Sequence, residues 1–153
     1  MISDQILQHI ADDIVFVFQC VLCMDEVGMN DKVGKNTLLY SNLYNDLYAK
    51  VDSPFIDIVV NSYIEYIERG RKKYTKKYTK KVPIDVLRKW AKRKGIPTDN
   101  STLYAIQQSI YLYGIKPRPI MEYVWREVDN NIDEIFSVLY DEIIKELNIF
   151  FNQ

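Results

Sequence analysis

One histidine and two cysteines are the only imidazole and thiol side chains among 153 residues. So few cysteines rule out a disulfide framework. A structural zinc site needs about four ligands, and His9 is distant from the lone Cys pair. Cys20 and Cys23 do form a Cys-x-x-Cys spacing, but inside an apolar helix pattern. A redox pair needs a helix start after a strand to lower its thiol pKa. The two read as inert core cysteines, and no metal or cofactor is expected. His9, between Gln8 and Ile10, reads as a surface or capping residue rather than a catalytic base.

Glycine and proline are scarce too, at 5 each, which leaves room for long helices. No phosphate loop, dinucleotide glycine fingerprint or serine elbow occurs. The longest apolar run, Ile14 to Met24, is broken by Gln19 and closely flanked by Asp12-Asp13 and Asp25-Glu26. It falls short of the ~20 residues that cross a bilayer and reads as a core helix, so no membrane is expected. The opening Met1-Ile-Ser-Asp lacks the basic stretch of a signal peptide, and nothing argues for secretion.

What is present is a globular composition, 48% hydrophobic and 27% charged, with 12 tyrosines. The length suits one domain, residues 1–153, with a modest core. The net charge of −1 hides an asymmetry. Between Arg69 and Lys94 stand 13 basic residues and one acidic residue, Asp85, leaving 7 basic and 20 acidic elsewhere. Such a split suits a polyanionic partner or pairing between copies of the chain.

Ser3 or Asp4 can cap a first helix reaching about Val27, with Ile6, Ile10, Ile14, Val17, Val21 and Met24 on one face. Phe16, Phe18 and Leu22 widen that stripe and imply burial on more than one side. Gly28 and Asn30-Asp31 end it. Residues 28–45 are polar and turn-rich. Leu47, Ala49 and Val51 then alternate, Asp52-Ser53-Pro54 turns, and Phe55 to Val60 is β-branched, so a hairpin is expected with strands near 46–51 and 55–61. Residues 71–81 hold a repeat, Tyr74-Thr-Lys-Lys and Tyr78-Thr-Lys-Lys, without apolar periodicity, and predict a protruding basic loop or arm over about 70–82.

Pro83 opens a helix whose apolar face is Val86, Leu87, Trp90 and Ala91, with Gly95 and Ile96 as its stop. Asp99, Asn100 or Ser101 caps the next, with Leu103, Ile106, Ile110 and Tyr113 inward and the same kind of stop at Gly114-Ile115. Lys116 to Pro119 reads as a rigid connector. A last helix is expected over about 119–150, roughly 45 Å long, with the stripe Val124, Val128, Ile132, Ile135, Leu139, Ile143, Leu147 and Phe150. That is longer than so small a domain needs internally, so part of the stripe should pack on something else. The expected fold is α+β and helix-dominated, with the small antiparallel hairpin (46–61) packed against the long N- and C-terminal helices.

Taken in order, these blocks resemble the small tail-completion or head–tail joining proteins of tailed bacteriophages. The first block is Tyr63, Tyr66, Ile67, Glu68, Gly70 and Arg71, with Arg69 between Glu and Gly. The second is Pro83, Leu87, Trp90 and Gly95. The third is Ile106, Ile110, Gly114, Ile115, Arg118 and Pro119. The match spans roughly residues 37–122. The final helix is longer and more acidic than in typical members, and the Tyr-Thr-Lys-Lys repeat is unusual. The Tyr-, Asn- and Lys-rich usage is similar to that of crAss-like phages, whose necks stack several ring proteins. The resemblance implies a structural virion protein, not an enzyme. It would be a homo-oligomeric neck ring, sixfold or twelvefold, touching portal, neck and tail proteins and passing DNA through its lumen.

The basic side chains Arg69, Arg71, Lys72, Lys73, Lys76, Lys77, Lys80 and Lys81 have three readings. They can form a solvated loop, contact DNA phosphates with Tyr74 and Tyr78 stacking, or lie on the acidic surface of a neighbouring subunit. A rival for the whole chain is a small nucleic-acid-binding module using segment 69–94, although no second recognition helix follows in helix-turn-helix geometry. An enzyme is the third. Glu65 and Glu68 are the available carboxylate pair, but with Arg69 and Arg71 so near they read as structural ion pairs. Trp90 with Leu87 reads as core.

Overall fold

The computed structural model describes residues 2–31, 34–39, 41–75 and 80–152. It is helix-dominated α+β, as expected, and divides into two compact units, Met1–Ile64 with Pro119–Gln153, and Glu65–Arg118.

The first unit is organised by α1 (Asp4–Cys23). Ser3 is its N-cap, its hydroxyl accepting from the Ile6 N–H at 3.4 Å. Leu7, Ile10, Ala11, Phe18, Val21 and Leu22 are buried, a single stripe at helical spacing. Phe16, expected inside, is 66% exposed because it falls on the opposite side from that stripe. The helix also ends earlier than its apolar pattern suggests. Met24 is extended, at φ −69° and ψ 137°, and a one-turn helix α2 (Asp25–Gly28) follows. Asn36 explains the break. Its amide nitrogen donates to the carbonyl of Leu22 at 3.1 Å, while its side-chain oxygen accepts from the N–H groups of Leu38 and Leu39 at 2.9 and 3.0 Å. One side chain thus serves a carbonyl left open at the helix end and the turn beyond it.

Two short strands, β1 (Met29–Asn30) and β2 (Lys35–Asn36), pair antiparallel, and α3 (Asn42–Asn45) leads to the expected hairpin. Its strands are β3 (Tyr48–Asp52) and β4 (Phe55–Val59), joined through Ser53 and a cis-Pro54. Ala49 pairs with Ile58 and Val51 with Ile56, all partly buried, while Lys50 pairs with Asp57 on the exposed face. The inward positions pack on α1, which also receives the first C-terminal helix. At 20 residues, α1 is the one helix among the described residues long and apolar enough to cross a membrane; its buried stripe is packed against protein.

The single C-terminal helix expected from the sequence is three, α7 (Ile120–Asn130), α8 (Ile132–Ile135) and α9 (Ser137–Phe151). Asn131, at φ −110°, interrupts the first junction, and its amide donates to the Glu127 carbonyl at 2.7 Å, competing with the backbone ladder. Phe136 interrupts the second, where the Ser137 hydroxyl takes the Glu134 carbonyl at 2.8 Å. The predicted stripe divides with the helix. Val124, Val128 and Ile135 are buried, Ile132 is exposed, and α9 buries no side chain.

The second unit contains α4 (Ile64–Arg69) from Glu65 onward, then α5 (Ile84–Lys94) and α6 (Asn100–Tyr113). Its core is small: Leu87, Ala91 and Leu103 are buried, with Val82, Ile84, Ile96, Ile106 and Ile110 packed on them. Gly95 is left-handed at φ 68°; the Ile96 N–H returns to the Ala91 carbonyl at 2.9 Å and the Gly95 N–H to Lys92 at 3.4 Å. This is the predicted helix stop with its hydrophobic seal. Asp99 caps α6, accepting from the Thr102 N–H at 2.9 Å and its hydroxyl at 2.8 Å. Those bonds, the backbone one foremost, hold the Asp99 carboxyl below its ordinary pKa of 3.8.

Gly114 differs from the expected stop. Its φ of 71° and ψ of −168° lie in a region essentially reserved for glycine, so the chain leaves α6 extended instead of closing on it. The Ile115 N–H donates to the Arg71 carbonyl at 2.7 Å, and the Arg71 N–H to the Ile115 carbonyl at 2.8 Å. Gly70, at φ 61°, faces this bridge from the other side. A Cβ on Gly70 would strike the Ile115 carbonyl and the Pro117 nitrogen, and one on Gly114 would strike the Arg71 carbonyl and the Lys73 nitrogen. Each glycine admits the other's backbone.

Two expectations follow. Gly70→Ala and Gly114→Ala should each cost about 2–4 kcal/mol in denaturant unfolding, since both strain and a backbone clash apply. Gly34→Ala and Gly95→Ala, which meet open space, should cost only about 1 kcal/mol. Asp99 has a depressed folded pKa, so its stabilisation is present above the unfolded value and lost as pH falls through the folded one. Asp99→Asn should therefore keep the cap but flatten that part of the acid unfolding curve.

Candidate nucleic-acid or subunit interface

The charge asymmetry of the sequence coincides with the structural division. Glu65–Arg118 carries 15 Lys and Arg against 4 Asp and Glu, and the rest of the chain 5 against 17. One unit is a polycation and the other a polyanion.

Within the basic unit, the base of the arm is tied to α6. The Tyr74 N–H donates to the Tyr111 carbonyl at 2.7 Å, and the two rings lie 4.9 Å apart. On the returning side, the Lys81 ammonium sits 4.9 Å from the Tyr111 ring centroid and 3.2 Å from Gln108 Oε1. Gln107 donates to the Val82 carbonyl at 2.7 Å. Both feet of the arm therefore stand on Tyr111. Lys76, Lys77, Tyr78 and Thr79 lie outside the described residues.

Of the other basic side chains proposed for contact, Arg69, Lys72, Lys73 and Lys80 are exposed. Arg71 is committed locally: its guanidinium donates to the Lys80 carbonyl at 2.9 Å, closing the loop, and its backbone forms the bridge to Ile115. Its place is structural.

The residues of the three sequence blocks fall in this unit with two exceptions. Gly70, Arg71, Gly114 and Ile115 form the bridge, and the Arg118 N–H donates to the Ile67 carbonyl at 3.1 Å beside it. Glu68 is partly buried on α4, and Tyr66 is exposed there. Tyr63 and Pro119 fall in the first unit: the Tyr63 N–H donates to Asn61 Oδ1 at 3.3 Å, and Pro119 precedes α7.

Trp90 is not a core residue. It is 37% exposed, and Val86, one turn earlier, is 55% exposed, because Leu87 and Ala91 take the inward positions of α5. On the helical wheel Val86 and Trp90 adjoin Lys89, Arg93 and Lys94. Asp85, the acidic residue of this helix, stands one turn before Lys89 at the edge of that patch and pairs with Arg88 at 3.1 Å; Arg88 also donates to Asn100 at 3.1 Å. Tyr113, expected inward on α6, is likewise exposed.

Cys20 and Cys23 are exposed as well, which overturns their reading as core residues. Both lie off the buried stripe of α1. Partial desolvation, then the neighbouring Cys23 thiol, raises the Cys20 pKa, which disfavours the reactive thiolate at neutral pH. Among the described residues no group of three or more His, Cys, Asp or Glu could hold a metal ion. No protein-family model, curated protein or solved structure matches the chain.

Replacing both cysteines by Ser should change stability by less than about 0.5 kcal/mol, as for surface positions. Alkylation of Cys20 should be slow at neutral pH and accelerate as pH rises into the alkaline range, read by mass spectrometry of the intact chain.

Proposed function

We propose that this chain is a structural virion protein, a subunit of a homo-oligomeric ring joining head to tail in a tailed bacteriophage. The reading rests on the resemblance carried by the three sequence blocks, and one observation supports it above the others. The first and third blocks meet at the bridge between Arg71 and Ile115, residues 44 apart in sequence, where each glycine leaves room for the other segment. Spaced glycines that look unrelated along the chain thus have a shared physical reason. Its role is geometric and needs no cofactor: the ring extends the channel below the portal, holds neighbouring neck or tail proteins and lets DNA pass.

The opposed charges of the two units suit such an assembly, because like-charged faces of adjacent copies avoid each other and unlike faces attract. The basic arm then meets either DNA in the lumen or carboxylates of the next subunit. The second is favoured because the acidic surface is already part of the same chain. The rival reading, a small nucleic-acid-binding protein, draws on the same basic unit. Salt-dependent DNA binding by a monomer would favour it.

Locating a tagged copy in assembled particles by electron microscopy tests the proposal directly; label anywhere but the neck or tail refutes it. Replacing Lys76, Lys77, Lys80 and Lys81 with Gln separates the roles of the arm. A subunit contact predicts poor ring assembly without DNA and, in the parent, assembly that weakens with salt. A DNA contact predicts normal rings with poor retention of packaged DNA.

A further inference from the structure

The last helix has an apolar side that the chain itself does not cover. Tyr140, Ile143, Ile144, Leu147, Phe150 and Phe151 are all exposed, from 43% at Ile143 to 77% at Phe151. On the helical wheel they share one broad face, and the substantial packing partner of α9 is α8 alone. An isolated helix of 15 residues is marginal in water, so this face needs a partner to hold it.

Its flanks say which kind. Glu142 and Glu146 border the stripe on one side and Asp141 lies beyond the other, with Lys145 the only cation, 3.7 Å from Glu142. An acidic rim disfavours anionic lipid and nucleic acid, which select basic helices. It also disfavours a second α9, whose rim would repel it. The complementary surface is on α5, where exposed Val86 and Trp90 adjoin Lys89, Arg93 and Lys94.

Resting on the ring reading, we infer that the apolar face of α9 docks on the Val86–Trp90 patch of α5 in the next copy of the chain. The contact is heterologous: each copy offers an acid-rimmed stripe and receives it on a base-rimmed patch. Contacts of this type close into rings when the rotation per subunit allows. Trp90 is the anchor, a large aromatic whose burial is completed only by the neighbour.

Sedimentation velocity of the full chain at low salt tests this with two charge-reversed variants, Glu142→Lys/Glu146→Lys and Lys89→Glu/Arg93→Glu. All four positions are exposed or partly buried surface, and circular dichroism checks that helix content is retained. Each variant alone should associate at least about tenfold more weakly than the parent, since like charges would face across the contact. Their equimolar mixture should recover assembly, because each then meets an opposite rim. No recovery on mixing overturns the docking, as does normal assembly of the Lys89→Glu/Arg93→Glu variant alone, which would put α9 elsewhere. A parent that stays monomeric at every concentration also overturns it. The neck reading is judged separately, by the position of the label in particles, so one can fail while the other stands.

Discussion

Two backbones can approach closely enough to exchange hydrogen bonds only where no side chain stands between them, and that constraint organises the basic unit. Gly70 and Gly114 each occupy a conformation unfavourable for other residues, and each lies against main-chain atoms of the opposite segment. The bridge they permit fixes where α4 ends and where the chain leaves α6. It also places the first foot of the arm, since Tyr74 follows Arg71 by three residues and bonds Tyr111 three before Gly114. The core beneath is small, with Leu87, Ala91 and Leu103 its buried members. Such a unit depends heavily on fixed backbone connections, because its apolar burial is limited.

Much of the helical architecture was legible from spacing. The Ser3 cap, the existence of the hairpin within residues 46–61 and the stop at Gly95-Ile96 each follow from local chemistry that competes with little else. What escaped involves contacts distant in sequence. Periodicity carried α1 past Met24 because it could not register that Asn36 would claim the Leu22 carbonyl. It merged α7, α8 and α9 because an apolar stripe passes unbroken through Asn131 and Phe136, whose backbones nevertheless depart from the helix. Gly114 looked like Gly95, and only the arrival of Arg71 distinguishes them.

The candidate site was legible as charge and not as geometry. The composition of segment 69–94 announced a basic region, but not that the structural boundary would separate it so cleanly from the acidic remainder. Apolar residues misled in the same manner at Trp90, Val86, Phe16 and the two cysteines. An apolar residue on an amphipathic helix is ordinarily assigned inward. Apolar surface can equally serve an interface, and its sequence signature is the same as that of a core.

The double footing of the arm on Tyr111 has an evolutionary consequence. When both ends of a loop are held by the same residue, its length is uncoupled from the fold beneath it. The closure entropy grows only logarithmically, by about 0.6 kcal/mol per doubling. Duplication of a tetrapeptide such as Tyr-Thr-Lys-Lys adds up to ~13 Å of extended chain while leaving Tyr74, Lys81 and Gln107 at their posts. The repeat at 74–81 has the form such a duplication would leave, and a further copy would lengthen the arm without any accompanying change in the core.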